Sequence, residues 1–298
     1  IVAISGRYEY KNKGIDLFVD ALAQANRSEK LGRNILAFIM VPAGVDGPEK
    51  ELAGKRATHR LSYPEYDSVL RRLEEVGLNN APENRVKVIF VPSYLNGNDG
   101  IFNMKYYDLL VGMDLTVFPS YYEPWGYTPL ESLAFGVPTV TTTLAGFGLW
   151  VQDHFASEHP SIAVLPRSEQ NYNSVVNGVL ERIEEISSLT PEQRTEYRNN
   201  AVKVSEIALW ENNIQYYKDA YSQAIEKLIE RKGELPQNIE VINNYRKMEF
   251  NKPSWSRLIV NRTIPERLKY LDVISKNLWW CWNQEAIDMF KGINPKLW

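Results

Sequence analysis

The sequence is poor in the residues that most often carry metal or thiol chemistry. Its 298 residues include one cysteine, Cys281, and three histidines, His59, His154 and His159. A lone cysteine excludes an intrachain disulfide framework, and the histidines fall at no spacing that makes a metal site. No apolar run reaches the roughly 20 residues that a membrane-crossing helix needs. An excess of charge is missing too: 34 Lys and Arg stand against 37 Asp and Glu, a formal net charge of -3, with no block of one sign. Such a balance provides no field to gather nucleic acid or an anionic membrane. The nucleophile elbow Gly-x-Ser-x-Gly does not occur, nor does a P-loop or a dinucleotide fingerprint. These absences predict a soluble globular protein of the cytoplasm, with no metal, no nucleic-acid partner and no membrane partner.

Present instead are 44% apolar residues, enough at this length for one large core and a smaller second unit. Aromatic residues reach 12%, including 8 Trp and 17 Tyr, which suits a sugar-binding surface and a large core equally. The chain opens on Ile1 inside an apolar run, which predicts that a preceding segment is missing. Short apolar runs at 1-5, 35-41, 86-92, 115-119, 138-143 and 161-165 alternate with amphipathic stretches. This rhythm predicts an α/β fold, a Rossmann-like doubly wound parallel sheet with crossover helices.

A helix is predicted from Gly14, where Ile15, Phe18, Val19 and Leu22 share a face. A second is predicted from Ser62, as cap, with Glu65 reaching back to it. Over 170-188 the residues Val175, Val176, Val179, Leu180, Ile183 and Ile186 form one stripe, and Thr190-Pro191-Glu192-Gln193 starts the next helix. The run through Trp210, Tyr217, Tyr221 and Leu228 makes another. Residues 43-60 break the alternation and predict an exposed insertion. Three parts are expected: a main Rossmann-like domain over 1-230, a linker or surface strap over 231-263, and extra C-terminal helices over 264-298. The last part carries Trp279, Trp280, Trp282 and Trp298, which implies a core that continues elsewhere.

Two stretches carry chemistry. In Phe118 to Ser132 a strand ends in a loop, Gly126 permits close backbone approach, and a helix begins near Thr128-Pro129. Free amides and the positive helix end then face one place, a setting that suits a diphosphate. Glu123 lies on the loop and Glu131 near the start of the helix. Spacing leaves two readings of this pair: they serve the reacting sugar and the ribose of one nucleotide sugar, or Glu123 pairs with a surface cation while Glu131 favours the helix start. After the first strand, Gly6 to Gly14 offers Arg7 as a planar fork and Lys13 as a point charge, again fit for a diphosphate. The same loop holds Glu9, so a solvated basic loop is the plain alternative. Ala145-Gly146-Phe147-Gly148 adds a flexible turn before a helix.

These residues resemble the glycogen synthases of animal and fungal type, retaining glycosyltransferases built from two Rossmann domains (GT-B). The resemblance rests on Gly6 to Gly14, on Val117 to Glu131, and on Gly136-Val137-Pro138 through Thr141-Thr142 to Gly146-Phe147-Gly148. It implies that Arg7 and Lys13 hold the diphosphate of UDP-glucose or ADP-glucose, completed by amides at Gly126, Tyr127 and Thr128. It further implies that Tyr106 stacks on the base, Glu131 binds the ribose, and Glu123 with Trp125 lies beside the transferred glucose. Glu123 is the catalytic candidate, and no cofactor is implied. The acceptor is an α-1,4-glucan, and the acceptor face belongs to a first domain. This chain therefore corresponds to the donor-binding half, expected to be inactive without the missing N-terminal GT-B domain.

The family's dense arginine helix, which senses glucose 6-phosphate, is thinned here to Arg194, Arg198 and Lys203, so the resemblance implies that activation is weak or absent. The tail, Pro265 to Asn283, resembles the start of an α-glucan phosphorylase of bacterial and archaeal type; a terminal helix packing its tryptophans on the first domain is the alternative. Two functional alternatives stand beside the main reading. One is another GT-B transferase such as sucrose synthase, and the other is a nucleotide-sugar or glucan-binding module without catalysis.

Overall fold

The computed structural model describes residues 1-232, apart from 53 and 156-158. Six parallel strands form its main sheet: β1 (Val2–Ser5), β2 (Ile35–Met40), β5 (Val86–Phe90), β6 (Leu115–Val117), β7 (Thr139–Thr142) and β8 (Ile162–Leu165). Their order across the sheet is β5-β2-β1-β6-β7-β8. Each strand falls inside one of the six apolar runs. Apart from Ala163, Val164 and Leu165 of the edge strand β8, which are partly buried, their residues are buried on both faces because helices cover both sides, as a parallel sheet requires.

Alternation along each strand divides the side chains between two layers. Val2, Ile4, Ile35, Ala37, Ile39, Val86, Val88 and Phe90 join one core with α1 (Ile15–Ala25), α2 (Ser68–Glu75) and α6 (Tyr172–Ser188). Ala3, Leu36, Phe38, Met40 and Ile89 point the other way, toward α3 (Tyr106–Leu110) and the loop before it. A third cluster joins α4 (Tyr127–Ala134), α5 (Gly146–His154) and α7 (Pro191–Ile207) through Leu133, Phe147, Val151, Ala201 and Val204. The stripe on α6 is buried as its period demands, with Val175, Val176, Val179, Ile183 and Ile186 inside. Thr190 and Gln193 form the reciprocal capping box that starts α7. In α8 (Trp210–Lys232) the rings of Trp210, Tyr217 and Tyr221 are exposed. The segments 233-263 and 264-298 lie outside the described residues.

Two local expectations are corrected. Ser62 caps no helix: its hydroxyl donates to Asp46 at 2.7 Å, and Pro64–Tyr66 makes one 3-10 turn. The helix starts five residues later, where Asp67 accepts from the Leu70 amide at 2.8 Å. Asp67 is the stronger cap because Tyr8 also holds it, donating from its hydroxyl at 2.7 Å and accepting from the Val69 amide at 3.1 Å. Asp67→Ala is expected to cost about 1-2 kcal/mol in urea unfolding, the upper range for a lost cap. A change below a few tenths would show the cap to be idle.

The stretch 43-60 is not a wholly exposed insertion. Its antiparallel hairpin, β3 (Val45–Pro48) with β4 (His59–Leu61), is anchored by the buried His59. The two ring nitrogens of His59 lie 2.9 Å from Thr58 Oγ1 and 2.8 Å from the Asp99 carbonyl. A polar ring that can satisfy both nitrogens is cheap to bury, and that is what pulls the hairpin inward.

Candidate functional site

The sheet reverses its direction of growth between β1 and β6. From β1 the chain moves through β2 to β5 on one side, and from β6 through β7 to β8 on the other. Crossovers diverge there, leaving a crevice at the carboxyl ends of the two strands, the place where open α/β sheets take ligands. The loops at that crevice are 6-14, after β1, and 118-126, after β6.

Backbone contacts bind these loops to each other and to a third, 143-147. The Tyr121 amide donates to the Asn12 carbonyl at 2.7 Å. Glu123 N–H donates to Leu144 O at 3.1 Å, Gly146 N–H to Glu123 O at 3.1 Å, and Phe147 N–H to Trp125 O at 2.6 Å. Two glycines make the approach possible. Gly14 has φ +67°, and a Cβ there would overlap the Pro119 carbonyl; one at Gly146 would overlap the Pro124 carbonyl.

Opposite charges meet across the crevice. Lys13 and Glu123, 110 residues apart in sequence, form an ion pair with side chains 15% and 23% exposed. The cation that pairs with Glu123 is thus the predicted phosphate ligand, so the plain and the functional readings of Glu123 converge on one contact. Arg7 stands apart: its side chain is 80% exposed and bridges to Glu9 at 3.0 Å, as the solvated-loop alternative describes. Gly126, with φ +103°, starts α4, and no side chain caps that helix. The first-turn amides of Tyr127 and Thr128 and the positive helix end therefore remain available to an anion. The Tyr127 side chain is exposed and that of Thr128 half-buried.

Trp125 is partly buried. Its indole meets Phe147 and Trp150 edge-on at 5.7 and 6.2 Å, so the ring belongs to the α4/α5 packing. Tyr106 is half-buried, and its hydroxyl lies 2.8 Å from Ser5 Oγ at the end of β1. Burial holds that phenol well above its ordinary pKa. Glu131 is half-buried on α4, and burial raises its carboxyl above the ordinary range. It accepts a hydrogen bond from Tyr107, whose own pKa is pushed up to about 12 by burial and by the Glu131 carboxylate. Tyr107 and Ser5 were not among the expected site residues. Two adjacent tyrosines offer sequence reasoning no means of telling which one faces the carboxylate.

Arg198, one of the three cations remaining on α7, donates to the carbonyls of Met113 at 2.5 Å and Gly136 at 3.1 Å. Among the described residues no group of three or more His, Cys, Asp or Glu could hold a metal ion, and no helix is long and apolar enough to cross a membrane.

The sheet, with a cation, a carboxylate and an uncapped helix start at its switch point, defines an α/β domain of the doubly wound, Rossmann-like class. A family model described as glycogen synthase matches residues 49-261, most of the chain. The chain belongs to the glycogen synthase family. It is 29% identical to glycogen [starch] synthase isoform 2 of Saccharomyces cerevisiae, over 72% of this chain and 41% of that protein. With glycogen [starch] synthase of Caenorhabditis elegans the identity is 29%, over 75% and 43%. With the liver glycogen [starch] synthase of Mus musculus it is 28%, over 73% and 40%. The chain thus spans about two-fifths of the length of the curated relatives it matches. A second model, described as a protein of unknown function (DUF3417), matches residues 264-298, outside the described residues.

Proposed function

We propose that this chain is the donor-binding half of a glycogen synthase, a GT-B hexosyltransferase that moves glucose from UDP-glucose to the non-reducing end of an α-1,4-glucan with retention. The observation that carries this reading is the meeting of Lys13, Glu123 and the uncapped start of α4 at the switch point, in a member of this family. The acceptor side of the cleft is assigned to the first Rossmann domain of the whole protein.

In the reaction, charge accumulates on the diphosphate as the bond to glucose breaks. Lys13, Arg7 and the amides at Tyr127 and Thr128 stabilise that charge without a metal. To meet the phosphates, the Lys13 ammonium turns from Glu123 or shares itself between the two. Glu123 is then freed toward the glucose, where a carboxylate stabilises positive charge developing at the anomeric carbon. Arg7, exposed and paired with Glu9, leaves that partner to fold over the phosphates when they arrive. Glu131 takes the ribose, and Tyr106 lies against the base.

Calorimetric titration with UDP, UDP-glucose and ADP-glucose tests the reading. Saturable UDP binding is expected, and Arg7→Ala should weaken it by about 1.5-3 kcal/mol, the loss of one hydrogen bond to a charged group. Because the ion pair of Arg7 among the described residues is an exposed one with Glu9, the same substitution should leave thermal stability nearly unchanged. Binding of none of the three nucleotides, in this chain and in the full-length protein alike, would remove the donor-site assignment. The bonds made by Arg198 to main-chain carbonyls support weak sensing of sugar phosphate. Adding glucose 6-phosphate to the full-length protein at low UDP-glucose is expected to raise the rate little or not at all, and a clear rise would refute this.

A further inference from the structure

Tyr107 makes a contact that the proposed reaction does not yet use. Its hydroxyl donates to Glu131 Oε1 at 2.9 Å. The ring from which it donates is held on two sides. It stacks on Phe135 with centroids 5.2 Å apart and planes within 4°, and Tyr106 meets it at 5.3 Å with planes tilted by 60°. Tyr106 is itself tied to Ser5 at the end of β1. A line of contacts therefore runs from the central strand, through α3, to a carboxylate on α4.

A carboxylate only accepts hydrogen bonds, through two oxygens. Tyr107 occupies one oxygen of Glu131, and Oε2 has no partner among the described residues. A glutamate with both oxygens unbound rotates about its last torsion, and a ligand must then pay for stopping it. With Oε1 fixed to a stacked phenol, Oε2 presents one direction before any ligand arrives. We propose that Tyr107 is a positioning residue: it aims Glu131 Oε2 at the ribose hydroxyls of the donor and so sets the preference for a ribonucleotide. The proposal rests on the assignment of Glu131 to the ribose, and its test separates the two.

The test compares UDP with 2′,3′-dideoxy-UDP by calorimetry in the unaltered chain, Tyr107→Phe, Glu131→Gln and the double variant. Tyr107→Phe keeps the ring on Phe135 and removes only the hydroxyl. The unaltered chain should prefer UDP, and Glu131→Gln should abolish most of that preference. In Tyr107→Phe the preference should fall about five- to tenfold, the size expected for one hydrogen bond, through weaker UDP binding alone. The double variant should be no worse than Glu131→Gln, because both changes act on one contact. Equal weakening of both nucleotides in Tyr107→Phe would make the hydroxyl merely structural and overturn the proposal. A preference retained in Tyr107→Phe but lost in Glu131→Gln would also overturn it, with the ribose assignment intact. A preference that survives Glu131→Gln, or is absent from the unaltered chain, would overturn both.

Discussion

Glu123→Gln should lower glucosyl transfer by about a hundred- to a thousandfold, the range measured when one group that stabilises developing charge is removed. The nucleotide should meanwhile bind as well as before or better. Lys13 loses its counter-ion in this variant, so its ammonium meets the diphosphate without first giving up a carboxylate. Turnover of the full-length protein on a maltooligosaccharide, set beside UDP affinity, separates the two effects. A fall in rate with unchanged affinity assigns Glu123 to the transfer step. Rate and affinity falling together would place it in donor binding instead, and an unchanged rate would end its candidacy.

The second large effect is on the framework. Gly14→Ala should cost about 2-4 kcal/mol, the sum of left-handed backbone strain and overpacking, and should abolish UDP binding. Its Cβ would overlap the Pro119 carbonyl and crowd the proline ring, forcing apart the loops that carry Lys13 and Glu123. Gly77 is an internal control, since it has φ +76° yet a Cβ there meets nothing within 4 Å. Gly77→Ala should show the strain alone, about 1-2 kcal/mol, and bind UDP normally. Equal costs at the two positions in urea unfolding would mean that loop contact at Gly14 contributes nothing.

The sheet and its main helices were legible because their signals are local and periodic. Alternate residues of β2 divide between two cores, and the α6 stripe is buried where its spacing demands. Ser62 and Asp67 show the limit of such signals. Both precede acceptable helix starts, and the choice falls to Tyr8, 59 residues before Asp67, which no local pattern reveals. The hairpin anchor at His59 likewise depends on a carbonyl 40 residues away. The site residues were legible as types at strand ends, and the switch point does bring Lys13 and Glu123 together. Their pairing, the withdrawal of the Trp125 indole into helix packing, and the contact of Tyr107 with Glu131 are all products of tertiary placement.

The three loops of the crevice are joined main chain to main chain, at Tyr121 with Asn12, at Glu123 with Leu144, and at Phe147 with Trp125. Main-chain hydrogen bonds of this kind protect their amides from solvent until the segment opens. Because each loop is held by another, one cannot lift away without releasing its neighbour. In hydrogen exchange the amides of Tyr121, Glu123, Gly146 and Phe147 should therefore share a single opening free energy, so that the crevice behaves as one cooperative unit in time as well as in space.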